Sequence, residues 1–258
     1  MAINVNTVYT TVLSILNKEQ RGYLTPYEFN KAATQSQLDI FEKYFIDLDA
    51  QLRIPQNDFD YSNPLNNLDD VISTFKCIGE CSFVAQAGVV PDYFKLPTVD
   101  ILTGKTIIYN DQPASNEFAF YRLGTVNLGF WFDEEAKTIE RLQRKPFYEI
   151  DKSDLTAPSK NFPVYLYESQ KLWIKPSTID SGEDVEASFI RKPRNPVWGF
   201  TVNSVGAYIY DPTVNVSVDF EISSNDQTEL ILQILQYAGV VIRDPQIVQV
   251  ASQELAQE

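Results

Sequence analysis

Two kinds of hydrophobic periodicity divide this chain, and their order constrains its fold more than any other feature. Apolar residues recur at helical spacing near both ends, whereas the middle carries short β-branched and aromatic runs separated by Pro and Gly. Val5, Val8, Tyr9, Val12, Leu13 and Leu16 predict an amphipathic helix closed at Gly22. Thr25-Pro26-Tyr27-Glu28 starts a second helix, with an N-cap threonine, a proline at the first helical position and a glutamate at the third. Leu24 and Phe29 stand where a hydrophobic staple needs them. The stripe then runs Phe29, Ala32, Ala33, Ile40, Phe41, Tyr44, Phe45, Leu48, with the two alanines small enough for another helix to approach closely. Pro55 ends it, residues 55–67 read as loop, and Leu68–Phe75 as a short helix.

Strands are expected at Ser82–Ala87, Lys105–Tyr109, Phe118–Leu123, Val164–Tyr167, Leu172–Lys175, Val185–Arg191 and Tyr208–Tyr210. The cleanest alternation is Val214, Val216, Val218 and Phe220 against Asn215, Ser217 and Asp219. Many short strands divided by turn residues point to an antiparallel sandwich or barrel. After a polar start at Ser224–Asp226, helix returns with Leu230, Ile231, Ile234, Leu235, Ala238, Val241 and Ile242. Asp244-Pro245 begins another helix, continuing through Ile247, Val248, Ala251 and Leu255. Each stripe is too wide to leave in water, so the end helices are expected to pack together. The expectation is an α+β fold. Residues 1–78 and 223–258 form a helical bundle, and a β domain of residues 79–222 is inserted between them.

The residue inventory argues against most catalytic chemistry. There is no histidine, which removes Ser-His-Asp and Cys-His catalysis and His-ligated metals. Cys77 and Cys81 form a lone C-x₃-C that cannot close a zinc site, so both are read as reduced and structural. No phosphate-cradling, dinucleotide-binding, EF-hand or serine-hydrolase motif occurs, and no cofactor is expected. Asp47/Asp49 and Asp133-Glu134-Glu135 are candidate glycosidase pairs, but a retaining pair needs carboxyls about 5 Å apart in a cleft. A solvated acidic face explains them more simply. Trp131, Trp173 and Trp198 are candidates for a sugar-binding groove, or equally for core or interface packing. Two basic clusters occur, Arg141, Arg144, Lys145 and Arg191, Lys192, Arg194; the second reads as a strand end with snorkelling side chains and a Pro-fixed turn, with an acidic partner or a phosphate as the alternative.

The net charge of −14 sets the whole molecule against phosphate backbones and anionic membranes. Residues 195–258 hold eight acids against the single base Arg243, a feature for solubility or an acidic wall past which DNA slides. The first residues lack a basic segment followed by an apolar block, and no run of 18 apolar residues exists. A reducing, aqueous compartment is therefore expected, and the sequon at Asn215-Val216-Ser217 is idle there.

Several stretches together resemble structural proteins of crAss-like and related short-tailed bacteriophages. Glu19–Phe45 is similar to an N-terminal helical region of that family. Val89–Leu96, Phe162–Ile179 and Phe189–Trp198 resemble its β region, and Leu230–Glu254 its C-terminal helices. Residues 100–160 match least. The resemblance implies a ring-forming head-to-tail adaptor of the virion neck, made in the bacterial cytoplasm. It would be dodecameric to match the portal, in contact with the portal and other tail rings, and would line the DNA exit channel without touching a membrane. It supplies no catalytic residues. The terminal helix, with Asp244, Pro245, Ile247, Val248, Ala251 and Leu255, is the expected assembly contact. A tail-associated glycan-binding module and a carboxylate-dependent glycan hydrolase are the competing readings.

Overall fold

A computed structural model of the chain describes residues 3–18, 24–53, 64–86, 91–109, 117–130, 132–213, 217–242, 249 and 252–253. In chain order these form α1 (Val5–Lys18), α2 (Pro26–Leu52), α3 (Pro64–Ser73), β1 (Lys76–Glu80), β2 (Ser82–Val84), β3 (Tyr93–Lys95), β4 (Thr106–Ile108), β5 (Glu117–Leu128) and β6 (Lys137–Arg141). There follow α4 (Arg144–Glu149), β7 (Val164–Glu168), β8 (Lys171–Lys175), β9 (Val185–Arg191), β10 (Phe200–Val202), β11 (Tyr208–Tyr210) and α5 (Gln227–Ile242). The fold is mixed α+β. Contacts divide the chain into two compact units, Met1–Thr74 with Pro193–Glu258, and Phe75–Lys192. Residues 193–222, read from the sequence as part of the β region, group with the helices.

In the helical unit, α2 packs against α3 and α5, and α1 against α5. The predicted cap forms: Glu28 N donates to Thr25 Oγ1 at 3.3 Å, and Thr25 N to Glu28 Oε2 at 2.9 Å. Hydrogen bonds from Thr25, its side chain first, hold the Glu28 carboxyl below its ordinary value. Val5, Val8, Tyr9, Val12 and Leu16 are buried on α1, and Phe29, Ala32, Ala33, Ile40, Phe41 and Tyr44 on α2. Leu230, Ile234, Leu235 and Ala238 are buried on α5, the helix that packs on both. Polar ties fix the α2–α5 register: Tyr237 Oη donates to Asp39 Oδ2 at 2.6 Å, Lys43 pairs with Glu229 at 3.0 Å, and Tyr44 Oη donates to Asp226.

Two amides on α2, seven residues apart and so on one helix face, moor the extended segment that follows the barrel unit. Asn30 Oδ1 accepts from Trp198 N at 2.9 Å while its Nδ2 donates to Trp198 O at 3.4 Å. Gln37 Nε2 donates to Arg194 O at 2.8 Å, and its Oε1 accepts from Glu221 N at 3.0 Å. Each side chain thus satisfies two main-chain groups that a neighbouring strand would otherwise pair. This is why the alternation at 214–220 does not yield a regular strand in its described part. Val218 and Phe220 make only isolated bridges, to Val197 and Ile3, because Val197 follows Pro196 in a segment already tied to a helix. Val214, Asn215 and Val216 lie outside the described residues.

The other unit is a large, nearly closed, barrel-like sheet of order β1-β9-β5-β6-β7-β8-β3-β2, with β4 beside β5. Its two ends are consecutive in the chain, interrupted at Cys81, whose N–H donates to Val185 O at 2.8 Å. β5 curves through two register shifts, between Phe120 and Arg122 and between Leu123 and Val126. Ser188 Oγ fills the second gap, accepting from Thr125 N at 2.8 Å. The interior is lined by Phe94, Leu96, Val126, Ile139, Tyr165, Leu172, Val185 and Ala187. Contrary to an all-antiparallel expectation, β4–β5 and β6–β7 run parallel. A parallel neighbour needs a crossover connection, and α4 supplies it between β6 and β7. Phe147 of α4 seals the outer face with Val164, Leu166 and Trp173.

Candidate assembly surfaces

Each unit displays a hydrogen-bonded turn that holds aliphatic side chains in water. In the barrel unit Val99 bridges Thr106, and the chain reverses between them over Asp100–Lys105. Asp100 is 1% exposed. Its Oδ2 accepts from Thr103 N at 3.0 Å and Thr103 Oγ1 at 2.5 Å, and its Oδ1 from Ile78 N at 3.1 Å. Ile101 N donates to Ile78 O at 2.8 Å, so the turn also covers the free edge of β1. The approach is so close that a Cβ on Gly79 would strike Pro97 and stand 2.7 Å from Val99 O. Outward from this anchor point Val99, Ile101 and Leu102, 47%, 49% and 60% exposed.

The helical unit repeats the device on the β10–β11 hairpin. Asn203 Oδ1 accepts from Val205 N at 3.0 Å and Ala207 N at 2.9 Å, while Asn203 N donates to Ala207 O at 3.0 Å. Gly206, at φ 86°, supplies the left-handed step. Val202, Val205 and Ile209 stand exposed, Val205 at 88%. The base of the hairpin is rooted in aromatic packing: Trp198 lies 4.1 Å from Tyr9, 5.8 Å from Phe200 and 5.7 Å from Tyr210, ring centre to ring centre. Side chains carried on a backbone that is already fixed lose less entropy when a partner covers them than those of an unordered loop.

These six aliphatics were not among the residues singled out from the sequence. For Ile101, Leu102 and Val205 the signal was present in Asp100-Ile-Leu-Thr-Gly104 and Asn203-Ser-Val-Gly206, turn motifs that place large apolar residues where polar ones are usual. Asp244, Pro245, Ile247, Val248, Ala251 and Leu255 lie outside the described residues. Of their neighbours, Ser252 Oγ accepts from Gln236 Nε2 of α5 at 3.4 Å.

The remaining candidates resolve individually. Trp198 is 3% exposed, its Nε1 donating to Asn6 Oδ1 at 3.0 Å, so it offers no face to a sugar. Trp173 packs half-buried beside Phe147, and Trp131 lies outside the described residues. Arg191 is buried over the rings of Phe118 and Phe75, at 4.2 and 5.2 Å. Arg194 is committed to Glu221 through N–H and Nε, at 2.9 and 2.7 Å. Asp49 pairs with Arg53 at 2.6 Å, and Asp133 accepts from Phe130 N in an exposed turn after β5. Cys77 and Cys81 are buried and not joined in a disulfide, and burial pushes the Cys81 thiol up to about 12. Among the described residues no group of three or more Cys, Asp or Glu is placed to hold a metal ion, and no helix is long and apolar enough to cross a membrane.

The class defined by this geometry is a mixed α+β protein with a barrel-like sheet and hydrogen-bonded turns on both units that expose aliphatic side chains. No protein-family model matches the chain, and no curated protein sequence matches it.

Proposed function

We propose that this chain is a non-enzymatic structural protein of a virion: a ring-forming head-to-tail adaptor of a short-tailed bacteriophage, joining portal to tail around the DNA exit channel. The observation that carries the reading is the pair of locked aliphatic turns, Val99/Ile101/Leu102 on one unit and Val202/Val205/Ile209 on the other. A ring built head to tail needs two different sticky surfaces on every protomer, and exposed aliphatics on pre-fixed turns are the side chains such surfaces use. The resemblance of the terminal and β stretches to crAss-like phage structural proteins points the same way. In this reading the N- and C-terminal helices form one bundle into which the β unit is inserted, and the ring is dodecameric to match the portal. The Asp244–Leu255 helix adds a contact at the chain end. The net charge of −14 gives a channel wall to which DNA does not adhere.

Native mass spectrometry of connector complexes released from virions tests the proposal. The chain is expected in a fixed ratio to the portal protein; connector complexes that lack it would refute the reading.

A further inference from the structure

We propose that the strand ends around the β7–β8 turn form a cationic rim that docks the acidic helical unit of a second copy. This rests on the ring reading above and names the electrostatic half of its subunit contact. Lys95, at the end of β3, stands directly opposite Lys171, at the start of β8. Like charges facing each other across a sheet weaken it. Neither lysine makes an ion pair with a carboxylate among the described residues, and nor does Arg141 at the end of β6. Both sides of the rim rest on rings instead: Lys171 Nζ lies 4.4 Å from the centre of Tyr93, and the Arg141 guanidinium 5.5 Å from that of Tyr167. Glu168, paired in register with Lys171, is taken by Arg144 at 3.1 Å. The turn between these strands is a two-residue reversal through Ser169 and Gln170, at φ 51° and 62°, so the charges are carried on fixed backbone.

The complementary surface is the other unit. Residues 1–74 and 193–258 hold 18 acids against 7 bases, a net of −11, whereas residues 75–192 hold 17 acids against 14 bases, a net of −3. Two-thirds of the chain's bases thus sit in the unit that carries the rim. A head-to-tail ring brings unlike faces of neighbouring copies together at every joint, and opposite charge selects that pairing over the like-to-like one. A phosphate backbone, by contrast, must approach a molecule of net charge −14.

The test uses the full chain with Lys95→Glu/Lys171→Glu, beside Lys95→Arg/Lys171→Arg, in sedimentation velocity at low and high salt. Assembly of the unaltered chain is expected to weaken as salt rises. Charge reversal should weaken it about tenfold at low salt, and the arginine variant should assemble like the unaltered chain. If reversal lowers the melting temperature, Lys95→Gln/Lys171→Gln decides, with weaker assembly again expected. Assembly that is insensitive to both salt and reversal overturns the rim and leaves the ring standing. Reduced binding of duplex DNA with unchanged self-association also overturns it, assigning the rim to phosphate. An unaltered chain that never assembles, alone or with connector rings, overturns the ring reading itself.

Discussion

Replacing Val99, Ile101 and Leu102 together by serine removes the barrel unit's aliphatic anchor while leaving its support intact. The three side chains are 47%, 49% and 60% exposed, so about half of each is left for a neighbour in the proposed ring to cover. Full burial of an aliphatic side chain is worth about 1.5–3 kcal/mol, so half-burial of three contributes about 2–4 kcal/mol to a contact. At about 1.4 kcal/mol per decade, assembly should weaken by roughly 30- to 1000-fold. The fold should hold, because the Asp100 bonds to Ile78 and Thr103 do not involve the replaced side chains. Sedimentation equilibrium reads the assembly constant, and a thermal melt reads the fold. A triple variant that assembles within about threefold of the unaltered chain, with the same melting temperature, would refute the reasoning. The companion change Asp100→Ala keeps the anchor but frees the turn. It strands the half-buried Ile78 N–H, so about 1–3 kcal/mol of stability should go, with assembly weakened less than by the triple change.

Gln37→Leu preserves volume but leaves Arg194 C=O and Glu221 N–H without their partner, and should cost about 2–4 kcal/mol, seen as a melting temperature about 5–15 °C lower. A melt unchanged by Gln37→Leu would mean the mooring on α2 is ornamental. Ile234→Asp places a charge at a fully buried α5 position and should unfold or disperse the helical unit, lost helical circular dichroism being the readout. The Cys81 thiol, pushed up to about 12 by burial from an ordinary value of 9.0, should resist a thiol reagent at neutral pH until denaturant is added. Its raised folded value means that the unfolded chain ionises first. Its contribution to stability is therefore fully present below pH 9 and is lost as pH rises from there towards 12, and a denaturant titration that found the chain growing more stable over that range would contradict it.

Local signals in the sequence were sufficient wherever a residue's role is decided by its near neighbours. The Thr25 cap and the stripes of α1, α2 and α5 are of this kind, since capping and 3.6-residue periodicity are properties of a single turn or face. Strands β7, β8 and β9 were legible because each is a run of five to seven residues rich in β-branched and aromatic side chains. Strands β1, β3, β6 and β10 were missed. Lys-Cys-Ile-Gly-Glu and Lys-Thr-Ile-Glu-Arg have weak strand propensity and become strands only by pairing with β9 and β5. The parallel β6–β7 pair was hidden for a related reason: Arg144–Glu149 is too short to announce a crossover helix by its pattern. Gln37 reads as a polar interruption of the α2 stripe, and only the course of residues 194–221 shows what it holds. The aliphatic turns needed the opposite step. Their turn chemistry was visible in Asp100 and Asn203, but exposure of the side chains between those residues and the following glycines is decided by tertiary structure.

Two distinct anchors that become covered when copies join are the core of this account, and hydroxyl-radical footprinting of the free chain against the assembled ring measures them directly. Oxidation of Ile101 and Leu102 and of Val205 should fall together on assembly, while that of the exposed Leu155 stays unchanged. An assembled ring in which both turns oxidise as fast as in the free chain would contradict it.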